Sequence, residues 1–359
     1  MVKAIIISNS LAAGGAERVT SELANSWSKY DETEVSLITY SSVKDFYKLN
    51  DSVIVHKLNY KQSSNLFSRL IGRFNVILKL RRQIRESNPD FILTMTVRVN
   101  VFTLISLLGL KQRIILSERN NPMDSPPLPL SICRRLFYRY AKGAIYQTQR
   151  AKDYFSSKHP SLTSIVLPNP INVVSIPNNL NKEKVILCVG RLEKQKGHKY
   201  LLQSFAISSY RSLGWRLIFV GDGILKNDLI VLAKELGIYD YVTFVGKQSD
   251  VYSWYFGSSI FAFPSTFEGF PNALAEAMST GLPVVSFDCP TGPAELIENE
   301  VNGFLIPLYD TSAFAEKLNV LMSDEDLRYT IGERARCSTN LLDAKVITKA
   351  YFDFCRKVK

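Results

Sequence analysis

Short apolar runs alternate with stretches of helical period along nearly the whole chain. KAIIIS, EVSLITY, DFILTMT, RIILSE and GAIYQT read as strands of a first half, and KVILCVG, RLIFVG, VTFVG, IFAFPS, PVVSFD and GFLIP as strands of a second. These runs are continuously apolar, not apolar at every other position, which is the pattern of a parallel sheet covered by helices on both faces. Strand and helix in repeated alternation predict two Rossmann-like, doubly wound α/β domains. LPNPINVVSIPNNLNKEK, residues 167–184, is rich in Pro and Asn and precedes a fresh strand, so it is the expected linker. The expected division is 1–175 for an N-terminal domain, 176–342 for a C-terminal domain and 343–359 for a closing helix that packs back toward the first. Open α/β sheets bind ligands beyond the carboxyl ends of their strands, and two such domains facing a central cleft place the expected active site there.

A chain of 359 residues suits two domains. A hydrophobic fraction of 46% with 21% charged residues belongs to a folded globular protein and excludes disorder as the default. The five cysteines are widely spaced with no CxxC, which suggests neither a disulfide framework nor a zinc site and implies a reducing compartment. The apolar run in MVKAIIISNS is too short for a signal-peptide core, and VFTLISLLGL at 101–110 is too short to span a bilayer. The expectation is a cytoplasmic protein without a transmembrane anchor.

Net charge is +11 and unevenly placed: residues 1–175 hold 24 Lys and Arg against 12 Asp and Glu, and residues 176–359 hold 20 against 21. From Ser52 to Arg85 there is no acid, while Lys57, Lys61, Arg69, Arg73, Lys79, Arg81, Arg82 and Arg85 supply eight bases. Leu66, Phe67, Leu70, Ile71, Phe74, Ile77, Leu78 and Ile84 recur among them at helical spacing, which predicts a basic amphipathic helix. Such a helix can lie on anionic lipid, with Arg69, Arg73, Arg81, Arg82 and Arg85 toward the membrane. It can equally be a Rossmann helix with its apolar side in the core and its arginines in water, and the pattern leaves both open. A second basic group, CRRLFYRYAK at 133–142, adds weight to the membrane.

Three stretches carry candidate chemistry. After the first strand, Gly14 and Gly15 open a helix whose first amides and dipole form an anion site, or a plain strand-to-helix turn. GxGxxG is absent there, and VGDGILKN at 220–227 has Lys226 where the third glycine belongs, which argues against a nicotinamide or flavin enzyme. After the first strand of the second half, VGRLEKQKGHK sets Arg191 and Lys196 beyond a strand end, two cations suited to a diphosphate. In PSTFEGFPNALAEAM, residues 264–278, Pro271 opens a helix whose Asn272, Ala273 and Leu274 amides form another anion site. Glu276, one turn deeper, is the helix's lone charge, and a carboxylate there suits the vicinal hydroxyls of a ribose. A diphosphate on Arg191 and Lys196 with a ribose on Glu276 describes a bound nucleoside diphosphate. The acids of SDEDLRYTI read as a helix start capped by Ser323, not as a metal-binding Asp-x-Asp, so no metal is expected.

GGAERV, GRLEKQKG and PSTFEGFPNALAEAMSTGLPVV together resemble the retaining family-four glycosyltransferases of GT-B architecture, most strongly over 184–310. FDCPTGPAELI at 287–297 and LSERNNP at 116–122 are similar to the bacterial subset that extends polyprenyl-diphosphate-linked oligosaccharides. The resemblance implies Glu276 on the ribose, Arg191 and Lys196 on the diphosphate, and Gly15 facing a phosphate or the acceptor. It also implies Glu268, with the Gly269 and Phe270 amides, on the sugar hydroxyls. It assigns Gly14, Arg98, Glu118 and Arg119 to the acceptor side. Many members place a histidine on a first-domain loop, and His56, His159 and His198 do not fit it, so Glu118 or Arg119 is expected in its place. The implied partners are a nucleotide sugar, a lipid-linked glycan acceptor and the anionic inner-membrane surface, with no cofactor and no metal. The implied reaction is retaining, by front-face displacement, with Arg191 and Lys196 stabilising the leaving diphosphate; a covalent role for Glu268 is the lesser alternative.

Two other classes bear comparison. Nucleotide-sugar epimerases and hydrolases share the two-domain architecture but leave a basic first domain unexplained. A nucleic-acid-binding protein would suit a pI near 9.3, yet no zinc motif or aromatic-basic RNA signature is present.

Overall fold

The computed structural model describes residues 1–12, 14–41, 43–60, 65–119, 126–177, 182–210 and 213–358. Lys61, residues 120–122 of LSERNNP and 178–181 of the expected linker lie outside the described residues, as does the side chain of Arg69. The chain forms two units, one of Met1–Pro170 with Ala344–Lys359 and one of Ile171–Asp343.

In the first unit the strands are β1 (Val2–Ser8), β2 (Thr33–Thr39), β3 (Ile54–Lys57), β4 (Phe91–Met95), β5 (Ile114–Glu118), β6 (Gly143–Tyr146) and β7 (Thr163–Val166). They form one parallel sheet in the order β3-β2-β1-β4-β5-β6-β7. Its helices are α1 (Gly15–Trp27), α2 (Leu66–Ser87), α3 (Val97–Ser106), α4 (Leu128–Phe137) and α5 (Gln149–Ser156). Alternate residues of β1 enter different cores: Ile5 and Ile7 pack with Val76, Leu80 and Ile84 of α2, while Ala4 and Ile6 pack with Leu23 and Trp27 of α1. Both faces are therefore buried, which is why the strands read as unbroken apolar runs.

The second unit has β8 (Val185–Val189), β9 (Arg216–Val220), β10 (Val242–Gly246), β11 (Ile260–Phe263), β12 (Val284–Phe287) and β13 (Phe304–Ile306). These are parallel in the order β10-β9-β8-β11-β12-β13. The helices are α6 (His198–Ile207), α7 (Lys226–Glu235), α8 (Tyr252–Gly257), α9 (Asn272–Ser279), α10 (Pro293–Leu296), α11 (Thr311–Ser323) and α12 (Glu325–Ser338). The order of connection reverses between β8 and β11, so a crevice opens at their carboxyl ends.

The last helix, α13 (Ala344–Lys357), packs within the first unit. The Trp27 indole N–H donates to the Thr348 carbonyl at 2.9 Å, and its ring meets Phe91 and Phe352 edge-on at 5.7 and 5.5 Å. Among the described residues no helix is long and apolar enough to cross a membrane.

One local reading needs correction. The cap of α12 is Asp324, whose carboxylate accepts from Leu327 N at 2.8 Å, while Ser323 closes α11. A carboxylate at that position also meets the helix dipole favourably, which a serine hydroxyl does less well. In α2 only one seam is in the core. Phe67, Leu70, Ile71, Phe74 and Leu78 are 71, 54, 45, 60 and 49% exposed, because none of the described residues of the unit covers that face.

Trp27→Ala should cost about 3–5 kcal/mol, since it removes a fully buried indole and the hydrogen bond that ties α13 to α1. Urea denaturation checks this, and a change under about 1 kcal/mol would mean that α13 is held by other contacts.

Candidate active site

The crevice between β8 and β11 collects most of the second-half candidates. The turn after β8, Lys194–Lys196, ends at Gly197, whose φ of +65° is one that L side chains rarely adopt. A Cβ at Gly197 would sit 2.0 Å from the Pro264 carbonyl oxygen, so only glycine allows this turn to touch the loop after β11. That approach sets Lys196 Nζ 2.6 Å from Glu268 Oε1, with the two side chains 19 and 7% exposed. An ion pair this enclosed must be well made, because either charge left alone would cost several kcal/mol.

Gln195 sits beside the pair. Its carbonyl accepts from Thr266 N at 2.8 Å and Thr266 Oγ1 at 3.1 Å. Its side-chain amide donates to the Phe267 carbonyl at 2.8 Å and lies 3.5 Å from Glu268 Oε2. From the other side, the Thr291 hydroxyl donates to the Glu268 carbonyl. Cys289 is buried on the same loop, and burial, then the charge of Glu268, pushes its thiol up to about 12, so it stays protonated and unreactive.

Glu276 is 7% exposed on α9 and accepts from the Tyr255 hydroxyl at 3.2 Å. Pro271 is the residue before α9 and Phe270 is buried; the Asn272 N–H already donates to the Phe270 carbonyl at 3.0 Å. The Ala273 and Leu274 amides, in the first turn, have no partner within the helix. Gly269 precedes them in the loop. Arg191 stands apart from Lys196: its guanidinium is 68% exposed and pairs with Glu193 at 3.0 Å.

His198, the first residue of α6, was set aside in the sequence, and it lies 2% exposed against Phe219 at 5.3 Å. Among the described residues neither ring nitrogen has a hydrogen-bond partner. Burial, then the Lys196 charge, pushes its pKa down to about 3.

In the first unit, Gly14 precedes α1 in extended backbone and accepts the Tyr47 hydroxyl at 3.0 Å; Gly15 begins the helix. Arg98 is exposed in the first turn of α3. Glu118 is buried at the end of β5 and accepts from the Tyr138 hydroxyl, which Asn100 also meets at 3.1 Å. Burial pushes the Glu118 carboxyl up. Arg119 is buried beside it and donates to Ser117 Oγ, the Tyr351 hydroxyl and Asn169 Oδ1. Both residues are thus built into the unit's interior. Of the basic residues on α2, Arg81 donates to the Ser106 and Leu108 carbonyls at 2.7 and 2.9 Å, closing the end of α3. Arg82 pairs with Glu86 at 2.7 Å on an exposed face, and Arg73 and Arg85 are exposed. Sequence reasoning missed Gln195, Tyr255 and Thr291, although Gln195 lay in GRLEKQKG and Thr291 in FDCPTGPAELI, both stretches with a recognisable signature.

Two parallel-sheet units of this kind are the architecture of the GT-B class. The family described as glycosyl transferases group 1 matches residues 174–337. An uncharacterized glycosyltransferase of Haemophilus influenzae is 30% identical over 335 residues, 92% of this chain and 93% of that one. A Campylobacter jejuni GalNAc-alpha-(1->4)-GalNAc-alpha-(1->3)-diNAcBac-PP-undecaprenol alpha-1,4-N-acetyl-D-galactosaminyltransferase is 27% identical, covering 100% of this chain and 99% of its own. Anabaena HepE, solved with UDP and glucose, shares the fold with a TM-score of 0.79 at 20% identity, over 99% of this chain and 100% of that one. The chain belongs to the group 1 glycosyl transferases, and it is a glycosyltransferase.

The unpartnered histidine gives a pH prediction. A histidine ordinarily titrates near 6.5, whereas folded His198 stays neutral down to about 3. Between those values the unfolded chain binds a proton that the folded one refuses, so stability that is intact above about 6.5 is lost as pH falls toward 3. His198→Leu should shrink the difference in urea midpoint between pH 7 and pH 5; an unchanged difference would assign the acid sensitivity elsewhere.

Proposed function

We propose that the protein is a retaining, metal-independent glycosyltransferase. It moves a hexose or N-acetylhexosamine from a UDP-sugar to a lipid-linked glycan acceptor in the synthesis of a surface polysaccharide such as O-antigen or capsule. The observation that carries this reading is the set of Lys196, Glu268 and Glu276 at the β8/β11 switch point of a chain in this family. The Campylobacter relative's name gives a PP-undecaprenol acceptor, and HepE was solved with UDP.

In this reading Glu276 accepts from the ribose hydroxyls, Arg191 and Lys196 hold the diphosphate, and the Ala273 and Leu274 amides face it. Glu268, Gly269 and Phe270 meet the transferred sugar. The acceptor hydroxyl attacks the face from which the diphosphate departs, and a diphosphate oxygen takes its proton. Arg191 and Lys196 stabilise the charge that develops on the leaving group, the kind of electrostatic help that usually dominates such rate enhancements. Gly15 faces the diphosphate or the acceptor, and Gly14, Arg98, Glu118 and Arg119 are assigned to the acceptor side.

The exposed apolar row of α2, with Arg73, Arg82 and Arg85 around it, is assigned to the anionic cytoplasmic face of the inner membrane. Leu128, Ile132 and Leu136 of α4 are exposed as well, and both helices flank α3.

Glu276→Ala should raise the donor KM by about tenfold or more, the scale of one hydrogen bond to a charged group. Lys196→Ala should lower kcat by about a hundredfold. Unchanged kinetics in both variants with a UDP-sugar panel and lipid-linked acceptor, or epimerised nucleotide sugar without transfer, would sink the reading.

Phe67→Ser with Phe74→Ser should release the protein from vesicles containing anionic lipid, and Arg82→Gln with Arg85→Gln should weaken binding at low salt. Cosedimentation reads both. Full retention by the two double variants would remove α2 from the membrane.

A further inference from the structure

Lys196 holds one oxygen of Glu268 at 2.6 Å, and the residue before it faces the other oxygen. The Gln195 amide is anchored on the Phe267 carbonyl at 2.8 Å, and the Gln195 carbonyl is anchored twice on Thr266. Its backbone and side chain therefore stitch the turn after β8 to the loop after β11 at the point where the carboxylate emerges. At 3.5 Å the contact to Glu268 Oε2 is at the outer limit of a hydrogen bond.

That length has meaning if Lys196 has two partners in turn. When the ammonium turns to a phosphate oxygen, Glu268 Oε1 loses its cation, and a carboxylate in so enclosed a place needs another donor. The amide N–H is already aimed at it, is neutral, and adds no charge that would compete with the phosphate for Lys196. We propose that Gln195 is a positioning residue: it retains the Glu268 carboxylate in its catalytic orientation while Lys196 exchanges that carboxylate for the diphosphate. The inference rests on the reading of this crevice as the donor site. It extends that reading to a residue outside the set that meets the substrate.

The test uses Gln195→Leu, which keeps bulk and removes the donor, and Gln195→Glu, which keeps length and turns an acceptor toward two acceptors. In the nucleotide-free protein, the rate of Lys196 acetylation by acetic anhydride is measured by mass spectrometry against the exposed Lys194. It should rise several-fold in both variants as the carboxylate is released from its hold. In steady state with UDP-sugar, kcat should fall about tenfold while the donor KM stays within about twofold, as expected of misoriented chemistry and not of weakened binding. The loss should be larger for Gln195→Glu, with melting temperatures near that of the parent. Parent-like labelling and kcat in Gln195→Leu would overturn the inference, and so would a fall in kcat matched by an equal rise in KM. If the parent protein itself binds no nucleoside diphosphate, the donor-site reading fails, while the labelling still reports whether Gln195 holds the pair.

Discussion

The Lys196–Glu268 ion pair is the contact around which the second unit's loops are arranged. It joins the ends of β8 and β11, strands that lie side by side only because the connection reverses direction there. Glycine at 197 allows the two loops to touch, and Gln195, Thr266 and Thr291 fasten the backbone on either side of the carboxylate. A charge pair that is mostly withdrawn from water tolerates little slack, since separating it leaves two poorly solvated ions. Backbone stitching of this density keeps the geometry while leaving the charged ends exchangeable.

Most of the strand plan was legible because both sheets are covered on two faces, so every interior strand is written as an apolar run. β3 and β7 were not legible. They lie at the edges of the first sheet, where Ile54 and Val55 face outward and Thr163 is exposed, and such strands lack the continuous signal. The period of α2 was plain, but its orientation was not. Apolar residues line two seams, and sequence cannot say that Val76, Leu80 and Ile84 take the core while Phe67 and Phe74 stay outside.

The candidate site was legible where chemistry follows locally from a strand end or a helix start, as for Lys196 and Glu276, while Glu268 entered through the family resemblance. The site was illegible where a partner is distant in sequence. Tyr255 reaches Glu276 from another helix without a motif of its own, and Gln195 lies in GRLEKQKG, but its amide meets a carbonyl on a different strand's loop. Glu118 and Arg119 illustrate what reading by position leaves out. They occupy a strand end at the ligand edge, and one is held by Tyr138 and the other by Asn169 and Tyr351, partners that their place in the sequence does not announce.

The two cations of the proposed donor site differ in what a phosphate must displace. Arg191 is paired to Glu193 in solvent, where an ion pair is worth about 1 kcal/mol or less, so an incoming diphosphate takes its guanidinium at little cost. Lys196 is enclosed with Glu268, and drawing it away is expensive unless the carboxylate finds new donors at the same moment. A nucleoside diphosphate alone brings acceptors for the lysine but no donor for Glu268. A sugar brings hydroxyl donors as well. In the proposed function the intact donor therefore satisfies both halves of the broken pair, whereas the product nucleotide satisfies only the lysine and leaves Glu268 with the long Gln195 contact. The pair would thus favour closure of the lysine on a full substrate, and its re-formation with Glu268 would help the spent diphosphate to leave.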